Sequence, residues 1–436
     1  MNAGDIDIGE RDVWGGRLPF SLRHADRRQH IYIVGKSGTG KSTLVRNMVL
    51  QDIEAGRGVG LIDPHGDLAQ ELLHYIPPSR ARDVVYFNPA DRNHPVGFNL
   101  LRAVPPEQTH LVASGLVSAF KSVWRDSWGP RLEYILYGCF AALASVENAT
   151  LLGAQRMLTD ARYRRWVLRQ VDDPVIRTFW EDEFGGYDKR LLAEAIAPLQ
   201  NKIGQLLMSP LLRNILGQVR SRLDLRFIMD NRKIFIANLS KGQLGEDKAN
   251  LLGSMLVTGF QLAAMGRANV PPEERTEWFL YVDEFQSFAT DAFASILSEA
   301  RKYGLALTLS HQYTSQLEDP IRDAVFGNVG TMVSFRVSEA DARLLCREYG
   351  GEHPTGWFTD LANYEARVRA LVDGAQPDPF LLRTYPPLGR WHGRADAIVR
   401  RSREAFGAPR HVVEDRIERW MRGVSGPHHR RRHRLG

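Results

Sequence analysis

One stretch decides the fold of this chain: His30-Ile-Tyr-Ile-Val-Gly-Lys-Ser-Gly-Thr-Gly-Lys-Ser-Thr43. A short apolar strand leads into a glycine-rich loop, and a helix opens at Thr43. The loop has the form Gly35-x-x-x-x-Gly40-Lys41-Ser42, which is the spacing of a phosphate-binding P-loop, or Walker A motif. Strand, loop and helix in this order predict the first βαβ unit of a parallel sheet.

The residue types of this loop suit the triphosphate of ATP. Glycines allow the backbone to wrap closely around phosphates with its N–H groups turned inward, and the helix that follows presents its positive end. We expect Lys41 to reach the β- and γ-phosphates and the Ser42 hydroxyl to bind Mg²⁺. The alternative is a glycine-rich turn with an ordinary surface lysine. The predicted nucleotide-binding residues are Gly35, Lys36, Ser37, Gly38, Thr39, Gly40, Lys41, Ser42 and Thr43.

A second motif lies where an apolar strand, Leu280-Tyr-Val-Asp283, runs into Glu284. This pattern is typical of Walker B. The aspartate then holds Mg²⁺, and the glutamate orients or deprotonates the attacking water. The alternative is a strand that merely ends in a solvated acidic turn. Gln312 follows the next strand, and ligands of open α/β sheets bind at the carboxyl ends of strands. We therefore predict that Gln312 senses the γ-phosphate or the lytic water, unless it is only a polar loop residue.

Hydrolysis also needs a cation opposite the γ-phosphate, to offset the charge that develops there. The sequence offers Arg301, Lys302 and Arg336, and spacing alone does not choose among them. Asp63 ends a further strand at the same edge. It could position the metal or a neighbouring chain, or it could cap the turn that contains Pro64.

Composition limits the class of protein. The chain has 436 residues and a net charge of +6, which is compatible with a nucleic-acid partner. Its two cysteines, Cys139 and Cys346, lie in apolar helix-like segments, which predicts buried thiols in a reducing, cytoplasmic compartment. The longest apolar run, residues 134–146, is too short to span a bilayer.

The spacing of apolar residues divides the chain into five parts. Residues 30–104 and 227–373 alternate short apolar strands with helices, which predicts an α/β core with a mostly parallel sheet. Residues 105–226 show helical spacing almost throughout, which predicts an all-α insertion domain. Residues 1–29 are a lead-in with one short edge strand. Residues 374–436 are a Pro-containing linker followed by an Arg/His-rich tail.

Taken in chain order, the motifs resemble those of the HerA/FtsK superfamily of DNA-pumping ATPases. Within it, the sequence is most similar to the TraD/TraG-like coupling ATPases of type IV secretion and conjugation, over about residues 28–372. The motifs that carry the resemblance are Gly35-x4-Gly40-Lys41-Ser42, Leu61-Ile-Asp63-Pro-His-Gly66, Asp283-Glu284-Phe285, Ala300-Arg301-Lys302-Tyr303-Gly304, His311-Gln312, Asn328-x2-Thr331 and Phe335-Arg336.

The resemblance implies a hexameric ring of RecA-like P-loop NTPase domains that threads DNA through its centre, with ATP bound between subunits. It also implies that Arg301 is a trans-acting arginine finger, that Gln312 is the sensor glutamine and that Arg336 is a second inter-subunit contact. Conjugative members usually carry an N-terminal membrane anchor. Residues 1–29 contain no such apolar stretch, so we expect no direct membrane span.

Several functions fit these expectations. The leading one is a soluble ATPase that moves along DNA without reading its sequence, with a secretion or relaxosome partner. Lys241 is then a candidate grip residue, although an ordinary loop lysine fits as well. Alternatives are a HerA-like helicase subunit working with a nuclease or other effector in DNA processing or anti-phage defence, and an ATPase that remodels or exports protein. A nucleotide-gated scaffold is disfavoured, because it needs no base such as Glu284.

Overall fold

The computed structural model describes residues 4–102, 104–290, 293–351 and 353–422, and these form two compact units. The sheet unit is formed by Met1–Ala90 and Asp224–Glu404. The helical unit is formed by Asp91–Leu223 and Ala405–Gly436. In the sequence, the helical unit is therefore inserted into the sheet unit and also includes the described residues 405–422, while the predicted Arg/His-rich run at 428–434 lies outside the described residues.

An eleven-stranded sheet organises the described part of the sheet unit. Its strands are β1 (Ile6–Val13), β2 (Gly16–Leu22), β3 (Ile31–Val34), β4 (Gly58–Asp63), β5 (Val84–Phe87), β6 (Ile234–Asn238), β7 (Trp278–Val282), β8 (Leu305–His311), β9 (Thr331–Ser334), β10 (Glu365–Arg369) and β11 (Phe380–Thr384). The spatial order is β2-β1-β11-β10-β9-β3-β8-β7-β4-β6-β5. Strands from β9 to β5 in this order are parallel to their neighbours, and those from β2 to β9 pair antiparallel.

The helices alternate with the strands of the sheet unit and fill the helical unit. In chain order they are α1 (Lys41–Glu54), α2 (Asp67–Tyr75), α3 (Thr109–Val123), α4 (Pro130–Ala144), α5 (Leu152–Thr159), α6 (Ala161–Leu168), α7 (Pro174–Thr178), α8 (Lys189–Met208), α9 (Pro210–Leu216), α10 (Leu225–Asp230), α11 (Lys241–Leu244), α12 (Glu246–Met265), α13 (Phe293–Glu299), α14 (Asp319–Asn328), α15 (Glu339–Glu348), α16 (Gly356–Thr359), α17 (Ala395–Phe406) and α18 (Arg410–Arg422).

The central strands are apolar on both faces because helices cover both sides of the sheet. Every residue of β3, β4, β7 and β8 is buried, as expected for a parallel sheet with helices on each face. On one side, Leu44 and Met48 of α1 pack in the same core as Ile33. The predicted α/β class, with a mostly parallel sheet and an all-α insertion, is confirmed.

Two strands were not predicted from the sequence pattern. They are β1 and β11, which pair with each other although more than 360 residues separate them. Gly9 makes this pairing close, because a Cβ at that position would lie 2.2 Å from the Arg383 carbonyl oxygen. Charged residues and Gly9 interrupt the apolar pattern of β1, and β11 has only five residues, so distant partners rather than local periodicity decide both strands.

The helical unit has its own core, which includes the C-terminal helix. Val413 and Ile417 of α18 pack with Leu152 of α5. In the sheet unit, one described segment, Glu246–Asn269, is long and apolar enough by length and composition alone to cross a membrane. In the structure, 67% of its apolar window is buried, as in the core helix of a globular domain.

Candidate functional site

The parallel strands bring the sequence motifs to one edge of the sheet. We call the edge where β3, β4, β6, β7 and β8 end the carboxyl edge, and the opposite edge the amino edge. Val34 at the end of β3 is in register with His311 at the end of β8, and Ile62 of β4 with Val282 of β7. The P-loop, the acid pair and Gln312 therefore all begin at the carboxyl edge.

Backbone hydrogen bonds connect the P-loop to neighbouring segments of the chain. The N–H of Gly35 donates to the His311 carbonyl (3.3 Å), and that of Lys36 donates to the Arg336 carbonyl (2.8 Å). Farther along, the N–H of Tyr364 donates to the Thr39 carbonyl at 2.8 Å, and the Thr39 hydroxyl donates to the Lys36 carbonyl at 2.7 Å. These hydrogen bonds join the loop to the end of β8, to the segment that follows β9 and to the residue directly before β10.

The inner face of this loop offers free donors. The backbone N–H groups of residues 38–42 make no hydrogen bond to any part of the chain that the structure describes. Gly38 and Gly40 have φ of 75° and 116°, a region that favours glycine. Ser37, Gly38 and Ser42 are exposed at the mouth, and Thr43 is half-buried. Unpaired N–H groups at a helix start are a fitting donor set for phosphate oxygens.

Lys41 lies under this cradle. Its side chain is 6% exposed, and its ammonium donates to the Lys36 carbonyl at 3.0 Å. Burial lowers the pKa of Lys41, while the nearby charges of Glu284 and Asp283 act in the opposite direction. An ammonium has three donors, so this one can still serve further acceptors such as the β- and γ-phosphate oxygens.

Asp283 is buried among other acids. Burial first, and then the Asp63 and Glu284 carboxylates, raise its pKa to about 6, against the opposing effects of a hydrogen bond from the Ser310 hydroxyl and the charge of Lys41. Several carboxylates gathered in a poorly solvated place disfavour their own ionisation. A divalent cation would relieve this repulsion, so Asp283, with the exposed Ser42 hydroxyl of α1, fits a Mg²⁺ site by the chemistry of its oxygen donors.

Glu284 is the most tightly held group of the site. It is 6% exposed, and its backbone lies in the left-handed region with φ of 44°. Its Oε1 accepts from Gln312 Nε2 at 2.7 Å, and its Oε2 accepts from Gln286 Nε2 at 2.8 Å. The structure therefore brings Gln312 and Glu284 together. The Gln286 contact was missed, although a glutamine two residues beyond the acid pair was a signal that could have found it.

The structure gives the contacts of two residues for which the sequence left two roles open. The Asp63 carboxylate accepts from the N–H groups of His65 (2.8 Å) and Ala69 (2.9 Å), so it caps the turn before α2 and the first turn of that helix. Lys241 lies at the carboxyl edge after β6. Its ammonium pairs with Glu246 (3.1 Å) and donates to the Ser287 hydroxyl (2.9 Å), so it is a partnered lysine rather than a free one.

His311 was quoted in the motif set, but no function was predicted for it. It is fully buried, and its Nε2 lies 2.5 Å from the Tyr32 hydroxyl. Burial, together with the charge of Lys41, lowers the pKa of His311 to about 3. A neutral imidazole packed beside the Phe285 ring, with a centroid separation of 4.9 Å, supports the P-loop from below and stays uncharged at neutral pH.

Arg336 lies beside the P-loop of its own chain. Its guanidinium donates to the Leu361 carbonyl and to Asn363 Oδ1, both at 3.1 Å. Since its backbone carbonyl also accepts from Lys36, Arg336 links the P-loop to the turn at 361–363. The contact to another subunit that the resemblance implies stays a prediction.

Arg301 is far from the other candidates. It lies in a 3₁₀ turn, Ala300–Tyr303, directly before β8, and therefore at the amino edge. The seven residues of β8 place it roughly 20 Å from the carboxyl edge. Arg301 and Lys302 are exposed, and their side chains make no hydrogen bond or ion pair within the described chain.

The two residues face a cleft of about 810 Å³, which we call the amino-edge cleft. It lies among the turns that precede β4, β7 and β8. Its lining includes Arg28, Arg57, Glu277, Phe279, Arg301 and Lys302. The structure thus brings the P-loop, Asp283, Glu284 and Gln312 together, and separates Arg301 from them.

Comparison with known proteins supports one family. The family model described as type IV secretion-system coupling protein DNA-binding domain matches residues 15–356, well over half of the chain. No curated protein matches the chain.

Solved structures of similar fold include the bacterial conjugative coupling protein TrwBdeltaN70 in complex with sulphate. It is 17% identical over 88% of this chain and 91% of its own, with a TM-score of 0.63. The plasmid coupling protein TrwB in complex with ADP and Mg²⁺ is 17% identical over 89% of this chain and 92% of its own, with a TM-score of 0.62. VirB4 of Thermoanaerobacter pseudethanolicus is 14% identical over 88% and 97%, with a TM-score of 0.52. The fold is therefore a RecA-like NTPase fold with a helical domain.

Proposed function

This chain belongs to the type IV secretion-system coupling protein DNA-binding domain family, and from this premise we propose that it is an ATPase that assembles into a hexameric ring and moves DNA through it. ATP and Mg²⁺ are the proposed ligands of the P-loop edge. TrwB, which shares the fold, has been solved with ADP and Mg²⁺ and with an ATP analogue. The unpaired N–H groups and the buried acid pair of this chain suit the same ligands.

One observation carries the proposal. Lys41, Glu284 and Gln312 meet at the carboxyl edge, while Arg301 lies unpaired at the amino edge of the same sheet. An ATPase site normally needs a cation to balance the charge that develops on the transferred phosphoryl group. The amino edge of a second copy can supply it, so the complete site would form only between two subunits.

The motif residues at the carboxyl edge would then each have a role in nucleotide binding or hydrolysis. Lys41 would hold the β- and γ-phosphate oxygens, and the N–H groups of residues 38–42 would hold the remaining ones. Asp283 and Ser42 would hold Mg²⁺, which when bound offsets negative charge on the phosphates. Glu284 would orient and deprotonate water, and Gln312 would report whether the γ-phosphate is present.

The distribution of charge supports a polyanionic partner. The helical unit contains 25 lysines and arginines against 16 aspartates and glutamates, a net charge of +9. The sheet unit contains 32 against 35, a net charge of −3. A surface of this sign binds nucleic-acid phosphates without reading sequence, and its affinity falls as salt rises.

The test combines turnover with assembly. ATP hydrolysis is measured with single-stranded DNA, with double-stranded DNA and without DNA, while negative-stain images record particles with and without ATP. We expect DNA-stimulated hydrolysis, rings in the presence of nucleotide, and displacement of a protein block from DNA. A particle that remains monomeric under every condition, or turnover that only a partner protein stimulates, would contradict the proposal.

A further inference from the structure

The proposed base of the reaction is restrained on both sides. Glu284 accepts one amide donor on each carboxylate oxygen, from Gln312 at 2.7 Å and from Gln286 at 2.8 Å. It is almost completely buried. An ionised carboxylate has about four acceptor sites, so these two bonds leave room for a water. They do fix the direction of both oxygens, and general-base catalysis requires one of them to point at the water.

The two amides differ in what else holds them. Gln312 lies at the end of β8, a fully buried strand. Gln286 lies in a short 3₁₀ turn, Phe285–Ser287, and its Oε1 is buried without a hydrogen-bond partner in the described structure. An unsatisfied buried acceptor costs free energy. Gln286 can gain a partner for this oxygen by turning toward solvent, so its hydrogen bond to Glu284 is the easier of the two to release.

A lysine is tied to the same turn. Lys241 Nζ donates to the hydroxyl of Ser287, the residue directly after Gln286, at 2.9 Å. Its only other described partner is Glu246, whose side chain is 69% exposed. Lys241 itself is partly exposed. A polyanion that approaches the carboxyl edge can thus compete for this ammonium and free the turn.

We propose that Gln286 is a positioning residue that holds Glu284 back from its water, and that Lys241 controls this hold, so that a polyanion bound at Lys241 raises ATP turnover. This inference rests on the proposed ATPase function. It adds a physical connection from a surface lysine, through Ser287 and Gln286, to the carboxylate that acts on water.

The first experiment compares the two amides. Gln286→Ala is expected to raise kcat in the absence of DNA by about tenfold, since a hydrogen bond to a charged group corresponds to roughly this factor or more. KM for ATP stays within about twofold, because uniform substrate binding is untouched. Gln312→Ala is expected to lower kcat instead. An unchanged or reduced kcat in Gln286→Ala overturns the inference.

The second experiment cuts the connection without removing a charge. Ser287→Ala breaks the hydrogen bond to Lys241 and is expected to raise DNA-free turnover, while stimulation by oligothymidylate shrinks in proportion. Lys241→Ala is expected to do the same, whereas Lys248→Ala, a lysine of α12 with no described partner, leaves both values unchanged. Turnover in Ser287→Ala equal to that of the unmodified chain overturns the role of Lys241.

A readout independent of turnover is amide hydrogen exchange in residues 284–288. Oligothymidylate added to the unmodified chain is expected to accelerate exchange there, and Ser287→Ala to be fast already without it. Exchange that does not respond to oligothymidylate overturns the inference even if hydrolysis is stimulated. If the unmodified chain neither binds nor hydrolyses ATP, it is the proposed function that fails.

Discussion

The two edges of the central sheet differ in whether their charged side chains are buried and paired within the chain. At the carboxyl edge, Lys41 and Glu284 are buried and hydrogen-bonded within the chain. At the amino edge, Arg301 and Lys302 project into an open cleft with no described side-chain partner. Under the proposed function, a single copy would carry two halves of a site on opposite edges, and a second copy would be needed to complete the set of charges for hydrolysis.

Beneath the amino-edge cleft the charges are paired as closely as at the other edge. Arg27 donates to both oxygens of Asp52, at 2.9 and 2.7 Å, and Tyr281 and Arg57 also donate to this carboxylate, each at 2.6 Å. Burial alone would raise the pKa of Asp52, but the Arg27 charge and these hydrogen bonds together hold it below its ordinary value. The unpaired state of Arg301 is thus a property of the cleft surface, not of the whole edge.

The most complete loss is expected when Lys41 is removed from the carboxyl edge, because ATP binding itself depends on it. Lys41→Ala is expected to weaken ATP binding by at least about 100-fold, because charge-assisted bonds to two phosphates are lost. Binding of a fluorescent ATP analogue measures this. Lys36→Ala is the matched control in the same loop, and its loss should be under about tenfold. Equal losses in both variants would contradict the assignment of Lys41.

At the amino edge, a loss of turnover without a loss of ATP binding is expected. Arg301→Ala should leave binding of the analogue within about twofold and reduce kcat by roughly 10³-fold, the scale of an arginine finger. Lys302→Ala, its exposed neighbour, should change kcat only slightly.

Mixing the Arg301→Ala and Lys41→Ala proteins tests whether the two edges act together across an interface. If each half-site belongs to a different subunit, some interfaces in the mixture combine an intact Lys41 with an intact Arg301, and activity returns in part. No recovery at any mixing ratio would argue that the two edges never meet across an interface.

A smaller effect is expected from the buried pair under the amino edge. Arg27→Leu leaves Asp52 buried without its main partner, and the free energy of unfolding should fall by roughly 3–5 kcal/mol. Urea denaturation followed by circular dichroism measures it. The control is Arg343→Ala, which removes an exposed pair with Glu339 and should cost under about 1 kcal/mol.

The smallest effect is the dependence of that pair on pH. Because the folded pKa of Asp52 is lowered, its contribution to stability is complete above the unfolded value of about 4 and is lost as pH falls through the folded one. The stability difference between the unmodified chain and Asp52→Asn should therefore be constant near neutral pH and shrink below about pH 4. A difference that grows on acidification would contradict the assignment.

Local patterns predicted much of this molecule. The P-loop and the Walker B strand are each one continuous stretch of sequence. The parallel register of β3, β4, β7 and β8 is enough to bring the two motifs to the same edge of the sheet. The role of Gln312 followed from its position after a strand, the choice of Arg301 followed from the resemblance, and both roles stay predictions. The Arg27–Asp52–Tyr281 network was not predictable, because its members lie up to 254 residues apart and no spacing links them.

The Gln286 contact shows a different limit. The contact joins residues 284 and 286 across a turn in which Glu284 has a left-handed backbone, and a sequence pattern does not give that conformation for a non-glycine residue. Strand β11 was missed for a similar reason, since its pairing with β1 and β10 depends on distant backbone rather than on its own pattern.

The position of β11 has a consequence for how the protein is made. The ribosome completes β1 and β2 first, yet the inner edge of β1 has no partner until residues 380–384 have been synthesised. A two-stranded hairpin is marginal on its own, and loop closure over such a separation is slow. During synthesis, β1 and β10 thus each have an unpaired strand edge that can pair with other nascent chains. Pairing of β11 with both strands covers these edges and lowers the risk of aggregation.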